Sequence, residues 1–463
     1  VQRTRGKSKI IADRQIRNMS VGSMMSTSAT GWKCAACGHR VSVEQPFSWR
    51  CPNSSDSDRH HVLLLEQPIA PLRSTGDVNP YVAFRKYLAW DVFAASLGLN
   101  DEQREAIIRR TDDAVARVAG TGFRTTPFAR NDALSDALGF ASNGGVWIKD
   151  ETNNVAGSHK ARHLFGELLH LVTAQEAGVA PWKHDVDRPQ LAISSCGNAA
   201  FAAATLAKAV NWPILVFVPE NAASELTDLL LSVDALIVRC PRLGSDPPGD
   251  PCVHRFRESV ANGAIPFGVQ GTENAWCLDG GRTIGWEIAD AQERLSGPPI
   301  DRIFIQVGGG AFAACASAGL FAGGLRPRLH SVQTESCAPL ARAWNVASAS
   351  GGARNAGARW KDCMWPWENP TDSLADGILD DETYDWVQVC NAMSESGGSP
   401  VVASEQDVTN AYAMAHRVTT INVSPTGTAG LAGLLAIRNQ IADDERIVVV
   451  FSGVRRSFMP LPR

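Results

Sequence analysis

The sequence predicts an α/β protein built on two doubly wound open sheets, with a small N-terminal hook in front of them. Three observations carry this expectation. From Gly145 onward, apolar strand-like runs alternate with helical segments, the pattern of buried strands covered by helices. Loops rich in Gly, Ser and Asn follow several of those runs, at the strand ends where such layers bind ligands. The chain has 463 residues, 44% of them hydrophobic and 20% charged, enough for about two to four globular domains.

Composition also excludes partners. A net charge of −4 gives no basic surface for nucleic acid or anionic lipid. The longest apolar stretches, such as Ala311–Ala322, are Ala- and Gly-rich and too short to cross a bilayer. Eleven scattered cysteines do not form the dense framework of a small secreted domain, so a reducing cytoplasm is expected.

Taken in order, residues 1–30 are basic, carry Asp13 as their single acid and show no sustained apolar period. They read as a disordered or artefactual extension without a part in chemistry. Residues 31–66 contain Cys34-Ala35-Ala36-Cys37-Gly38 and then Cys51-Pro52-Asn53-Ser54, the outline of a zinc-ribbon-like hook. Thiolates two residues apart at a Gly turn can grip one Zn²⁺ from the same side, which makes Cys34, Cys37 and Cys51 candidate ligands of a structural zinc. The fourth ligand is open: Ser54 stands where a thiolate belongs, and His60 and His61 lie off the usual spacing. A degenerate ribbon without metal is the alternative.

Residues 67–463 form the body. Between Pro80 and Ala119, Tyr81, Phe84, Tyr87, Leu88, Val92, Ile107 and Val115 recur at helical spacing. Strands are expected at 146–148, 191–194, 214–218, 235–238, 303–307, 330–333 and 447–452, with helices between them.

Four loops carry the unusual residues. The first runs from Lys149-Asp150-Glu151 to Gly157-Ser158-His159-Lys160 and opens a helix. A lysine there feels positive backbone potential, which disfavours its ammonium form and favours an amine nucleophile. The second is Ser195-Cys196-Gly197-Asn198-Ala199, where small residues admit a planar ligand and Asn198 offers an amide. The third, Gly308-Gly309-Gly310-Ala311, turns a strand into a helix start and can cradle phosphate with backbone N–H groups. In the fourth, a late strand ends in Ser452-Gly453.

This succession resembles the fold-type-II pyridoxal-phosphate enzymes, a family that includes threonine synthase, serine/threonine dehydratase, cysteine synthase and the tryptophan synthase β chain. The resemblance spans about 123–453 and starts at Thr125-Thr126-Pro127-Phe128. It implies a body of tryptophan synthase β-like type with pyridoxal 5′-phosphate between two α/β subdomains. It also implies that Lys160 forms the Schiff base and acts as the base toward the α-proton. Asn198 would bond the 3-oxygen, Gly308, Gly309, Gly310 and Ala311 the phosphate, and Ser452 the pyridine nitrogen. Backbone groups of Ser195, Cys196, Gly197, Asn198 and Ala199 would bind the substrate carboxylate, and a homodimer is implied.

A hydroxyl opposite the pyridine nitrogen leaves the ring less protonated than a carboxylate would, hence a weaker electron sink. Such a site suits elimination or β/γ-replacement on a small amino acid over transamination. Within the family the motifs divide. The cysteine hook and Asp279-Gly280-Gly281-Arg282-Thr283-Ile284 are similar to threonine synthases, Gly157-Ser158-His159-Lys160 to tryptophan synthase β-like loops, and Leu374-Ala375-Asp376-Gly377-Ile378 to dehydratases. Threonine synthase-like chemistry is the first expectation. L-threonine/L-serine dehydration and a β-replacement synthase are alternatives, and a non-catalytic binding relative is the reading from another class. His163 and His170 are expected to have a packing or surface role, Cys196 to be a small buried thiol, and Trp360, Trp365 and Trp367 to form a packed cap or interface.

Overall fold

The computed structural model describes residues 29–461 apart from 56, 68–70, 248, 296, 369, 458 and 460. The extension expected over 1–30 therefore lies outside the described residues, except for Ala29 and Thr30. The chain opens with a three-stranded antiparallel sheet of β1 (Gly31–Cys34), β2 (Arg40–Val41) and β3 (Leu63–Glu66), with β1 in the middle. Trp32 on β1 is fully buried and meets Trp276 of the body edge-on, with ring centroids 5.6 Å apart.

The body is wound as one sheet interrupted by another. β4 (Phe128–Arg130) and β5 (Gly145–Asp150) begin the larger sheet. The chain then leaves to build a smaller parallel sheet from β6 (Leu191–Ser194), β7 (Ile214–Pro219), β8 (Leu236–Cys240) and β9 (Ile265–Pro266), ordered β8-β7-β6-β9. It returns with β10 (Arg302–Gln306), β11 (Arg328–Thr334), β12 (Val401–Ala403) and β13 (Arg446–Phe451), giving the order β12-β11-β10-β13-β5-β4. Every residue of β5, β10 and β13 is buried, as helices on both faces require, and their sequences are nearly continuous apolar runs.

The seven expected strands all form, with ends displaced by at most two residues. Three more in the body were not anticipated. β4, β9 and β12 have two or three residues each, too few to show a period. β4 runs antiparallel to β5, so the larger sheet is mixed rather than purely parallel. The helical stretch before it is broken into Pro80–Ala83, Ala89–Ser96 and Asp101–Ala119. Asn79 caps the first piece, and an Asn100–Gln103 capping box starts the last.

The helix Lys160–Glu176 runs through the centre of the body, buried nearly all round. Gly166 and Gly280 let it touch the following segment backbone to backbone: a Cβ on Gly280 would lie 2.1 Å from the Arg162 carbonyl oxygen. The adjacent Asp279 accepts the Ala89 and Trp90 N–H groups at 2.9 and 3.0 Å. The Asp279-Gly280-Gly281 motif is thus a packing joint between three helices.

Two residues beyond Lys160, the fully buried Arg162 guanidinium pairs with two carboxylates. It donates to Glu151 at 2.8 and 2.9 Å and to Glu287 at 2.5 Å. Lys149, also fully buried, pairs with Glu287 and donates to the Thr126 carbonyl at 2.8 Å. Removing one partner strands a charge in low dielectric, which typically costs about 3–5 kcal/mol. Arg162→Met should therefore lower the unfolding free energy of the apo chain by an amount in that range, read by denaturant titration. A loss below about 1 kcal/mol would contradict a buried, mutually dependent network.

Candidate active site

The carboxyl ends of three neighbouring strands, β5, β13 and β10, feed three of the singled-out loops. The fourth follows β6 in the other sheet, so the loops face one another across the crevice between the layers.

After β5 the chain passes Ala156 and Gly157, both at positive φ (54° and 72°). Ser158 pairs with Gly453, and the His159 N–H donates to the Ser452 carbonyl at 3.1 Å. Lys160 is then the first residue of its helix and is half-buried. Burial lowers its ammonium pKa, opposed by Asp380 and Asp385, and the helix N-terminus acts in the same sense as burial. The His159 ring stacks on Phe312, centroids 4.0 Å apart, which joins this loop to the glycine loop.

Asn198 begins the helix Asn198–Ala209. Its Oδ1 accepts from Arg456 Nε and Nη2 at 3.2 and 3.0 Å, so the NH₂ end of the amide is left to donate. Arg456 was not anticipated. It lies over Phe201 at 4.7 Å and donates to the Ala156 carbonyl at 2.9 Å, and the only hint in the sequence is its place just after Ser452. Ser195 and Asn198 are half-buried, Cys196 and Gly197 are exposed, and Ala199 is buried. The expectation of a buried Cys196 is corrected: the thiol opens on the cleft because the turn carries it outward. Crowding of its thiolate by surrounding protein, then Asp376, Asp250 and Asp380, raises its pKa, which keeps it a thiol.

The glycine loop leaves no room for side chains. A Cβ on Gly308 would stand 2.3 Å from Asp380 Oδ2, and one on Gly309 3.0 Å from the Tyr384 ring. Gly310 sits at φ 98°, with Thr383 in the way of any Cβ. Ala311 starts the helix Ala311–Ala322. The opposing wall is the 379–385 segment, whose Asp385 N–H donates to the Gly309 carbonyl at 2.8 Å. Burial raises the Asp380 pKa to about 6, although Lys160 and the Gly309 N–H favour its anion. Burial likewise raises Asp385 to about 7, opposed by the Gly271 N–H and by Lys160. Sequence reasoning stopped at Ile378 and missed these acids, although Asp380-Asp381-Glu382 was a visible run.

Ser452 follows β13 and is buried. Its Oγ accepts from Gln306 Nε2 at 2.7 Å. The carbonyl oxygens of Gly427, Thr426 and Val450 also lie 3.0, 3.2 and 3.3 Å from Nε2, so its two hydrogens are shared among four acceptors that would repel an amide oxygen, which fixes the amide's orientation. Ser452 is thereby an acceptor toward Gln306, and its own hydrogen is free to donate elsewhere. Gln306 also went unnoticed in the sequence, as the polar end of an apolar strand.

These groups fit pyridoxal phosphate. Lys160 Nζ and Asn198 Nδ2 make no hydrogen bond among the described residues, Ser452 keeps a free O–H, and the glycine loop is a cradle that any Cβ would fill. Away from the cleft, His163 and His170 are fully buried, His163 against the Cys277 carbonyl at 2.9 Å and His170 accepting the Phe47 N–H at 3.2 Å. Trp360 is buried, while Trp365 and Trp367 flank Arg342 at 3.9 and 5.1 Å. Cys34, Cys37 and Cys51 come together in the hook, joined by His61, with all four ligand atoms within 4.8 Å of one another. Ser54 is not among them, because its hydroxyl donates to the Cys51 carbonyl at 2.7 Å.

The family model described as "Pyridoxal-phosphate dependent enzyme" matches residues 120–453. The chain is similar to a threonine synthase of Methanosarcina acetivorans, at 25% identity over 336 residues, covering 71% of this chain and 74% of that one. Among solved structures it is similar to a threonine deaminase of T.th., with a TM-score of 0.57 and 20% identity over 76% of this chain and 99% of that one. Threonine deaminase isoform 2 of Solanum lycopersicum gives a TM-score of 0.56 at 18% identity, covering 78% and 92%. These structural likenesses show the fold.

The raised Asp385 pKa has a measurable effect on stability. An unfolded aspartate releases its proton near 3.8, whereas folded Asp385 holds it to about 7. Between those values the folded state binds more protons, so its stability falls as pH rises, by up to about 1.4 kcal/mol per pH unit for this group. Asp385→Asn in the apo chain should flatten the fall by one proton's worth between pH 4 and 7, measured by denaturant titration across pH. An unchanged slope would mean that Asp385 is ionised throughout.

Proposed function

Since the chain belongs to the pyridoxal-phosphate dependent enzyme family and has its fold-type-II form, we propose that it catalyses elimination or β/γ-replacement on a small amino acid. Its first reading is threonine synthase-like, after the relatives it is similar to. The observation that carries the reaction class is the Gln306–Ser452 hydrogen bond. With Oγ already accepting, Ser452 has its hydrogen left to donate, and with the cofactor bound it would offer that hydrogen to the pyridine nitrogen, which would then carry no proton of its own. The cofactor supplies an electron sink for the α-carbon. A sink weakened in this way would favour reactions that expel a leaving group.

The chain's own residues divide the remaining work. Lys160 would hold the cofactor and then take the α-proton at Nζ, and burial, which lowers its ammonium pKa, acts in favour of the neutral amine this requires. Asn198, held by Arg456, offers Nδ2 to the ring's 3-oxygen. Gly308, Gly309, Gly310 and Ala311 present N–H groups to the phosphate. The 195–199 turn receives the substrate carboxylate at the N-terminus of its helix. The same reading assigns 31–66 to a hook and 67–463 to the catalytic body, in a cytoplasmic homodimer.

Dehydration of threonine or serine is the second reading. Asp250, Asp376 and Asp380 all act on Cys196 of the substrate turn, and these carboxylates disfavour a substrate with a phosphorylated side chain. Assaying O-phosphohomoserine, threonine and serine side by side, with phosphate and 2-oxoacid readouts, distinguishes the two readings. Phosphate release supports the first and 2-oxoacid formation the second.

Borohydride reduction and peptide mapping should place a pyridoxyl group on Lys160. Its appearance on any other lysine would overturn the assignment. Ser452→Asp should raise pyridine protonation, shifting products toward transamination or racemisation while lowering the main activity. If Ser452→Ala and Ser452→Asp both behave as the parent, Ser452 does not face the ring.

A further inference from the structure

We propose that Cys34, Cys37, Cys51 and His61 form one closed tetrahedral zinc site that clasps the N-terminal hook onto the catalytic body. The ligands come from three separated places: the end of β1 and its turn, the loop at 51, and the approach to β3. Zn–S bonds of about 2.3 Å and Zn–N bonds of about 2.0–2.1 Å around a tetrahedral ion imply S···S edges of about 3.8 Å and S···N edges of about 3.5–3.6 Å. Cys37 Sγ and Cys51 Sγ stand 3.7 Å apart, and Cys34 Sγ and His61 Nδ1 3.5 Å. The sulfur pair is far beyond the roughly 2.05 Å of a disulfide.

The surroundings match a metal centre. His61 turns its other nitrogen, Nε2, toward Asp58 Oδ2 at 3.5 Å, the carboxylate–histidine arrangement that leaves Nδ1 to the ion. The Cys37 N–H meets Cys34 Sγ at 3.5 Å, and Asn53 Nδ2 meets Cys37 Sγ at 3.4 Å. Such contacts spread the excess charge of three thiolates around a divalent ion. The neighbouring His60 is engaged elsewhere, stacked on Trp360 with centroids 4.9 Å apart. All four positions are filled by the protein, so the ion is structural, with no opening for substrate.

The loops that the ion closes are the ones that touch the body. Within 38–50, the Phe47 N–H donates to His170 on the Lys160 helix at 3.2 Å, and the Trp49 carbonyl accepts the Ala275 N–H at 2.9 Å. Within 52–60, Arg59 pairs with Glu273 at 3.2 Å. Much of 38–60 is exposed or half-buried, and so small a piece has little core of its own to hold its loops in place.

The test uses the full chain, loaded with zinc and dialysed. A single zinc per chain is expected in the parent and in His60→Ala. Cys51→Ser should lose it, His61→Ala should weaken it more than tenfold, and Asp58→Asn should weaken it about 10–100-fold. Cobalt(II) loading of the parent should give thiolate-to-cobalt charge transfer and the intense d–d bands of a tetrahedral site, a readout that survives even if a variant misfolds. Chelation should speed proteolysis within 38–60. The proposal is overturned by a parent chain that retains no zinc, by an octahedral cobalt spectrum, or by His61→Ala with undiminished affinity.

Discussion

The position of Lys160 depends on a buried set of charges. Lys149 and Arg162 face Glu151 and Glu287, two cations and two carboxylates that neutralise one another where water cannot reach. Such a set tolerates no partial version, because each member's desolvation is compensated only by the others. It joins the end of β5, the Lys160–Glu176 helix and the Thr283–Arg294 helix. Lys160 lies two residues from Arg162, so fixing the guanidinium fixes the start of the helix and the path of the amine.

Around that anchor the cleft is shaped mainly by backbone. The 308–310 loop has no side chains, Gly310 uses a conformation that other residues rarely adopt, and the 195–199 turn is built of small residues. Side chains then add electrostatics in opposed pairs. Burial drives Lys160 toward its neutral amine and drives Asp380 and Asp385 toward their neutral acids, while their mutual attraction resists both shifts. Asp380 and Asp385 are thereby raised to about 6 and about 7, far above an ordinary carboxylate. Arg456 and Gln306 each hold the acceptor oxygen of one polar residue, Asn198 and Ser452, and leave its donor hydrogens uncommitted.

The hook meets the same central helix from outside. His170 stacks on Trp276 at 4.0 Å while accepting the Phe47 N–H, and Trp276 lies in the segment that carries Gly271, whose N–H bonds Asp385 at 3.1 Å. A continuous set of packed groups thus leads from the N-terminal sheet to the wall of the cleft.

The sequence by itself determined the layers, the four loops and the family. Those rest on features that are local in the chain: apolar runs long enough to show a period, glycines at strand ends, and a lysine at a helix start. β4, β9 and β12 were too short to show any period. Tertiary structure alone decided the rest. The bonds Arg456–Asn198, Gln306–Ser452 and Glu287–Arg162 join residues more than a hundred positions apart, and no local pattern encodes who will meet whom once the sheets close. Asp380 and Asp385 carry no local signal in the sequence, and it is burial that raises their affinity for protons. His61 completes the cysteine cluster because the pairing of β3 with β1 brings Leu63 opposite Cys34, a strand register that spacing along the chain does not reveal.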